Sequence, residues 1–256
     1  MTADAASGDT GPDRPGLWRA VDLGLIEYTE AQAIQIRIRD ARLDGRVADD
    51  VALFCEHPPV FTLGRRGGRE NLRVSPELLA EKGVPVVQAE RGGNITYHGP
   101  GQLIVYPIID LEQARLSVVD YVTALEAVMI RTAADFGVTA DRSEVNRGVW
   151  VGNRKLGSVG IALRRGISWH GLAFNVSLDL TPFGWIHPCG LSGVEMTSLA
   201  RENGAPMNLA AVRDRMRRHL ADVFSIGWVT AVVDDLISGA AGELPDVPVG
   251  GRKASP

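Results

Sequence analysis

Only two of the 256 residues are cysteines, Cys55 and Cys189, too few for a disulfide framework. Each is therefore either a small buried hydrophobe or a working thiol. Basic charge is not in excess: 27 lysines and arginines face 31 acids, a net charge of −4, which argues against a general nucleic-acid binder. Any basic site has to be local. No apolar run approaches the roughly 18 residues of a membrane span, and the opening stretch MTADAASGDTGPDRPG carries acids where a signal peptide needs an apolar core. A cytoplasmic protein that does not enter a membrane is expected. The chain also lacks a GxxxxGK[ST] phosphate loop, a GxGxxG opening a helix, and any pair of histidines or acids at metal-ligand spacing on a helix. Neither a metal site nor a bound cofactor is expected.

What is present is the composition of an ordinary globular chain, 45% hydrophobic and 23% charged, enough for one sizeable core. Residues 1–16 and 238–256 are rich in Gly, Pro, Ala, Ser and Asp and have too little apolar surface to offset ordering entropy, so both are expected to be disordered tails around a single domain at 17–237. TEAQ predicts a helix capped by Thr29, with Ala31, Ile34, Ile38 and Ala41 on its apolar face. The run VALFCE predicts a buried strand, and EHPPVFTL a turn into a second one. A helix from Ser117 to Phe136, stopped by Gly137, and a last helix capped by Asn208 are the clearest amphipathic patterns. Between them lie GVWV, KLGSVGIALRR and ISWHGLAFNVSL, three strand-like runs joined by turns that favour antiparallel pairing. Adjacent strands without intervening helices predict an α/β (α+β) domain with a mixed or antiparallel sheet and helices packed on it.

The chemistry concentrates in a few stretches. Cys55 lies inside VALFCE and reads as core, whereas Cys189 lies between Pro188 and Gly190 in a turn, where a thiol can reach a substrate and nearby backbone N–H groups can hold an oxyanion. A thiol with a pKa near ~8.5 is only about 3% ionised at neutral pH, so a working Cys189 needs a cation or a base. Lys155, at the entry of the glycine-bearing strand KLGSVGIAL, is the candidate, against the plainer reading of a solvated lysine at a strand end. His98 in TYHGPG and His170 in SWHGLA share a pattern, aromatic before and glycine after. Each is either a core histidine or one wall of a shared site. Three glycine clusters, at 92–93, 99–101 and 157–160, suggest that something approaches the backbone closely. The loop carrying Arg65, Arg66, Arg69 and Arg73 is either a solvated surface or a local docking patch for acidic partners.

In the order EHPPVFTLGRRG, RGGNITYHGPGQLIVYPIIDL, GVWVGNRKLGSVGIAL, HGLAFNVSLDL and IHPCGLSGVEMTSL, these motifs resemble the lipoyl(octanoyl) transferases over about residues 53–199. The resemblance implies a fold shared with biotin and lipoate protein ligases. It also implies an enzyme that moves an octanoyl group from octanoyl-acyl carrier protein, through a cysteine thioester, to a lysine of a lipoyl domain. The family's nucleophile falls on Cys189 and its lysine on Lys155. Its acyl-binding segments fall on Arg91, Gly92, Gly93, Asn94, Ile95, Thr96, Tyr97 and His98, on Ser158, Val159 and Gly160, and on Gly171, Leu172 and Ala173. Implied partners are the acyl carrier protein and the lipoyl domains of 2-oxoacid dehydrogenase E2 subunits and glycine cleavage H protein, with the enzyme acting as a monomer. On this reading Ile95 and Val159 line an apolar slot, and Gly92, Gly93 and Gly190 offer N–H donors to the tetrahedral intermediates. The rival is an ATP-dependent lipoate-protein ligase of the same fold. Against it stand the cysteine of the PCG turn, YHGPG where a ligase-like loop ends in an acid, and no further ordered domain expected after Phe224. A non-catalytic acyl-carrier-binding module is the other alternative, and it leaves the pairing of Lys155 with Cys189 unexplained.

Overall fold

The computed structural model describes residues 16–144, 146–187 and 194–237. Both expected tails lie outside the described residues, except that Gly16 opens the first strand. Strand β1 (Gly16–Leu25) leads into α1 (Tyr28–Leu43), followed by β2 (Asp50–Glu56), β3 (Val60–Leu63), a short α2 (Pro76–Glu81), β4 (Val86–Gln88), β5 (Ile95–His98) and β6 (Gln102–Ile108). Helix α3 (Val118–Asp135) separates these from β7 (Asp141–Arg142), β8 (Val149–Val151), β9 (Arg154–Arg164) and β10 (Ile167–Asn175). After them come β11 (Glu195–Met196), α4 (Leu199–Asn203), α5 (Leu209–Phe224), β12 (Ile226–Thr230) and α6 (Val233–Ile237).

Among the described residues nine strands form one mixed sheet in the order β12-β1-β2-β6-β10-β9-β8-β7, with β11 lying parallel to β9, and β4-β3-β5 form a smaller one. β1 pairs in parallel with both β12 and β2; β2, β6, β10, β9, β8 and β7 then pair antiparallel in succession. The unbroken apolar run of β2 has a simple cause: both faces of the sheet are covered. Ala52 and Phe54 pack with Leu125, Met129, Val212 and Met216 of α3 and α5, whereas Val51, Leu53 and Cys55 pack with Ala31, Ile38 and Ala41 of α1. Leu103 and Val105 on one face of β6, and Ile104, Tyr106 and Ile108 on the other, repeat the division. A third core, around Phe61, Ile95, Tyr97 and Phe183, seals the small sheet.

The caps of α3 and α5 follow the sequence pattern: Ser117 Oγ accepts from Asp120 N and Asn208 Oδ1 from Ala211 N. The cap of α1 does not. The helix starts two residues earlier than a Thr29 cap implies, at Tyr28, with Glu27 before it making no side-chain cap, so Thr29 lies in the first turn. Tyr28 is 2% exposed, stacked on His98 at 6.0 Å and edge-on to His57 at 5.3 Å. Burial of that ring outweighs one capping hydrogen bond.

Candidate active site

The faces of β9 and β10, the 91–98 segment and the start of α1 enclose a cavity of about 650 Å³. Its walls include Arg91 to Thr96, His98, Ser158 to Gly160 and Gly171 to Ala173, together with Lys155, His170, Tyr28, Tyr106 and Asn146. Pairing of β9 with β10 brings the two glycine-bearing segments face to face, with Gly160 opposite Gly171, Val159 opposite Leu172 and Ser158 opposite Ala173. Tyr97 departs from the expected set. Residues alternate across a strand, so its ring turns away into the small-sheet core against Phe61 and Phe183, at 5.3 and 5.5 Å.

Lys155 is 4% exposed at the head of β9, which excludes the solvated strand-end reading. Its Nζ donates to Asn146 Oδ1 at 2.7 Å and to the Arg147 carbonyl at 2.8 Å, and lies 5.3 Å from the Trp150 ring. Gly148 makes room for it: with φ at +122°, a Cβ there would overlap the Gly157 carbonyl oxygen and press on Lys155 Cε. Cys189 lies outside the described residues, as does Gly190. The chain on either side is tied down. His187 N donates to Asn71 O at 2.8 Å, and Met196 pairs with Lys155 itself, while Thr197 N donates to the Lys155 carbonyl at 2.9 Å. Cys55 is 3% exposed in β2, and burial pushes its thiol far above the usual range.

Polar side chains also line the cavity, among them Tyr28, Arg91, His98, Tyr106 and His170, beside the apolar Ile95 and Val159. Hydrogen-bond roles there follow from the groups that can only accept. Ile26 O accepts from His57 Nδ1 at 2.7 Å, so His57 Nε2 accepts the Tyr106 hydroxyl at 2.7 Å. Gln102 Nε2 donates to Asn175 Oδ1, which leaves Gln102 Oε1 to accept from His98 Nδ1 at 2.7 Å. His98 Nε2 is then an acceptor for Thr62 Oγ1, and that oxygen in turn accepts Arg91 Nη2 at 2.7 Å. The Tyr28 hydroxyl and both ring nitrogens of His170 are buried without a hydrogen-bond partner among the described residues. His170 also holds φ at +58°, rare for a residue other than glycine, with its N–H on Gln35 Oε1 at 2.8 Å. Burial holds the histidines neutral: desolvation lowers His57 to about 4 and His170 to about 3, and desolvation aided by His57 and Arg91 takes His98 well below the usual value. One expected oxyanion donor is lost, because the Gly92 N–H is already committed to Ile161 O at 2.8 Å.

The depressed histidines make stability depend on acid. In the unfolded chain each takes up its proton near the ordinary value of 6.5, whereas folded His57 resists down to about 4. The stability is therefore complete above roughly pH 6.5 and is lost as the pH falls toward 4, on the order of 3 kcal/mol for His57 alone. Thermal melts between about pH 7.5 and 4.5 are expected to fall steeply, and His57→Phe is expected to flatten that slope. An equally steep slope in the variant would mean that other groups carry it.

Comparison with known proteins bears on most of the chain. Residues 27–221 match the model of the lipoyl protein ligase A/B catalytic domain family. An octanoyltransferase of Desulfotalea psychrophila is 52% identical over 220 residues, covering 85% of this chain and 97% of that one. An octanoyltransferase of Syntrophobacter fumaroxidans is 47% identical, covering 81% and 91%. A crystal structure of lipoate-protein ligase A bound with ATP superimposes with a TM-score of 0.68 at 14% identity, covering 88% of this chain and 93% of that one, and so shares the fold. The chain therefore belongs to the lipoyl protein ligase A/B catalytic domain family, among its octanoyltransferases.

Proposed function

We propose that this octanoyltransferase works through a covalent acyl-enzyme on Cys189, with octanoyl-acyl carrier protein as donor and the lysine of a lipoyl domain as acceptor. The observation that carries the reading is the buried ammonium of Lys155 at the cavity wall, on the residue that pairs with Met196 just beyond the Cys189 segment. The Cys189 thiolate adds to the thioester carbon, a C–S bond forms to Cys189, and the carrier's C–S bond breaks as its sulfur leaves as a thiol with the proton that Lys155 gives up. The two thioesters are close in energy, so this exchange requires no nucleotide. The acceptor amine then forms the amide bond and returns Cys189 to thiolate. Lys155 steadies that thiolate while charged; once Cys189 is acylated and neutral, it loses its proton and takes the one released by the incoming amine. Ile95, Val159 and Leu172 cover the hydrocarbon part of the chain, each methylene contributing roughly 0.8 kcal/mol.

The test is incubation with octanoyl-acyl carrier protein and a lipoyl domain, with and without ATP, followed by intact-mass measurement. An octanoyl adduct on Cys189 and nucleotide-independent transfer are expected. A strict ATP requirement would reassign the protein as a ligase.

Docking is expected to involve the arginine loop. Arg65, Arg66, Arg69 and Arg73 are exposed, Arg66 reaches the cavity wall, and the Arg65 and Arg66 N–H groups donate to Arg91 O and Gly93 O. Both protein partners are expected to be acidic, like the enzyme itself, so a local basic patch supplies steering that the net charge does not. Arg69→Glu with Arg73→Glu is expected to raise KM for the carrier protein about tenfold at low salt and to flatten its salt dependence. Unchanged kinetics at low ionic strength would exclude the loop. The same reading makes the enzyme a cytoplasmic monomer; among the described residues no helix is long and apolar enough to cross a membrane.

A further inference from the structure

Glu126 is the most deeply buried carboxylate among the described residues, 1% exposed on α3, and no step of the transfer uses it. From α3 it reaches the loop between β7 and β8. Oε1 accepts the Gly148 N–H at 2.8 Å, and Oε2 faces Arg147 Nη1 and Arg142 Nε, each at 3.3 Å. The same loop is what holds Lys155, through Asn146 Oδ1 at 2.7 Å and the Arg147 carbonyl at 2.8 Å, with Gly148 against the lysine stem. We infer that Glu126 is a positioning residue for Lys155, fixing the 146–148 loop so that its two oxygen acceptors converge on the ammonium. The inference rests on the role proposed for Lys155.

Two physical points favour a functional purpose over a structural one. Removing a carboxylate from water costs several kcal/mol, and the two arginines that offset it are themselves 39% and 52% exposed. An apolar residue at 126 would pack against the surrounding core without that cost. The loop also has to present oxygen rather than nitrogen to a cation, which a freely rotating Asn146 amide would not guarantee. The charges around the pair are Arg142 at the end of β7, Arg147 on the loop, and Arg154, beside Lys155 in β9, paired with Glu202 of α4. Removal of the Glu126 charge leaves this cluster more positive and favours the neutral amine.

Glu126→Gln keeps an oxygen for the Gly148 N–H and deletes the charge. With octanoyl-acyl carrier protein and a lipoyl domain as substrates, it is expected to lower kcat about 10-fold or more, to leave KM roughly unchanged, and to move the pH–rate profile to lower pH. A parent-like kcat and profile would overturn the inference, and so would a lower kcat with an unmoved profile, the mark of general destabilisation. Should Glu126→Gln fail to fold, Arg142→Gln with Arg147→Gln, on more exposed side chains, is expected to move the profile the opposite way; no movement overturns the inference. Lys155→Ala is run in parallel. If it keeps the parent's activity, the reading of Lys155 has failed; if it is inactive beside a parent-like Glu126→Gln, only the role of Glu126 has failed.

Discussion

Cys189→Ser is expected to abolish octanoyl transfer, by on the order of 10³-fold or more, while Cys55→Ser leaves the rate near the parent's and lowers stability instead. A serine hydroxyl is far harder to ionise than a thiol, so the cation at Lys155 cannot activate it, and an oxygen ester on the enzyme would be a poorer donor to an amine than a thioester. At position 55 the demand is different. The thiol is 3% exposed among Val51, Leu53, Ile104 and Tyr106, with His57 Nε2 at 3.8 Å from its sulfur. A hydroxyl there exchanges a soft hydrophobe for a group that needs hydrogen bonds, at a cost of about 2 kcal/mol, or roughly 4–8 °C in Tm. The measurement is transfer rate beside a thermal melt for both variants. A folded but inactive Cys55→Ser, next to an active Cys189→Ser, would move the nucleophile to β2.

The second large effect concerns Lys155, where two tasks place different demands on one side chain. As a cation it need only lie near the thiolate; as a base it must give up a proton near neutral pH, which a guanidinium does not do. Lys155→Arg is therefore expected to form some acyl-enzyme and to fail in passing it on, whereas Lys155→Ala loses thiolate activation too. Lys155→Ala also leaves Asn146 Oδ1 and the Arg147 carbonyl without their donor at the cavity wall. Single-turnover mass spectrometry of the Cys189 adduct separates the steps. Transfer by the arginine variant at the parent's rate would dismiss Lys155 as the base. His98 and His170 would then be examined next, although burial already holds both neutral and His98 Nε2 accepts from Thr62.

Much of the fold was legible where it depends on local pattern. The helices α3 and α5 carry their caps and stripes in contiguous sequence, and the antiparallel run from β8 to β10 is joined by short turns that announce themselves. β1 and β12 were not anticipated, because their parallel pairing, Trp18 with Trp228, has no turn between them to read. The site divides the same way. Lys155 stands out as a charge in a glycine-bearing apolar strand, but Glu126 reaches the loop that holds it only once α3 packs beside β8 and β9. Tyr28, Tyr106 and His170 come from α1, β6 and β10, and only the assembled sheet brings them to one cavity wall. Gly92 lines the cavity as its cluster suggests, but that its N–H is taken by Ile161 of β9 could be read only from the assembled sheet.

The pairing of β1 with β12 also sets the order of events during synthesis. Five residues at the start of β1, Gly16 to Ala20, find their partners at Ile226 to Thr230, so among the described residues that edge of the strand waits for its partner until residues 226–230 have left the ribosome. The central antiparallel strands can assemble earlier, but the sheet closes on contacts of very long sequence separation, the kind that make folding slow and leave a strand edge open to other nascent chains. Truncation before Ile226 would thus leave β1 paired with β2 alone and turn its other edge into an aggregation site.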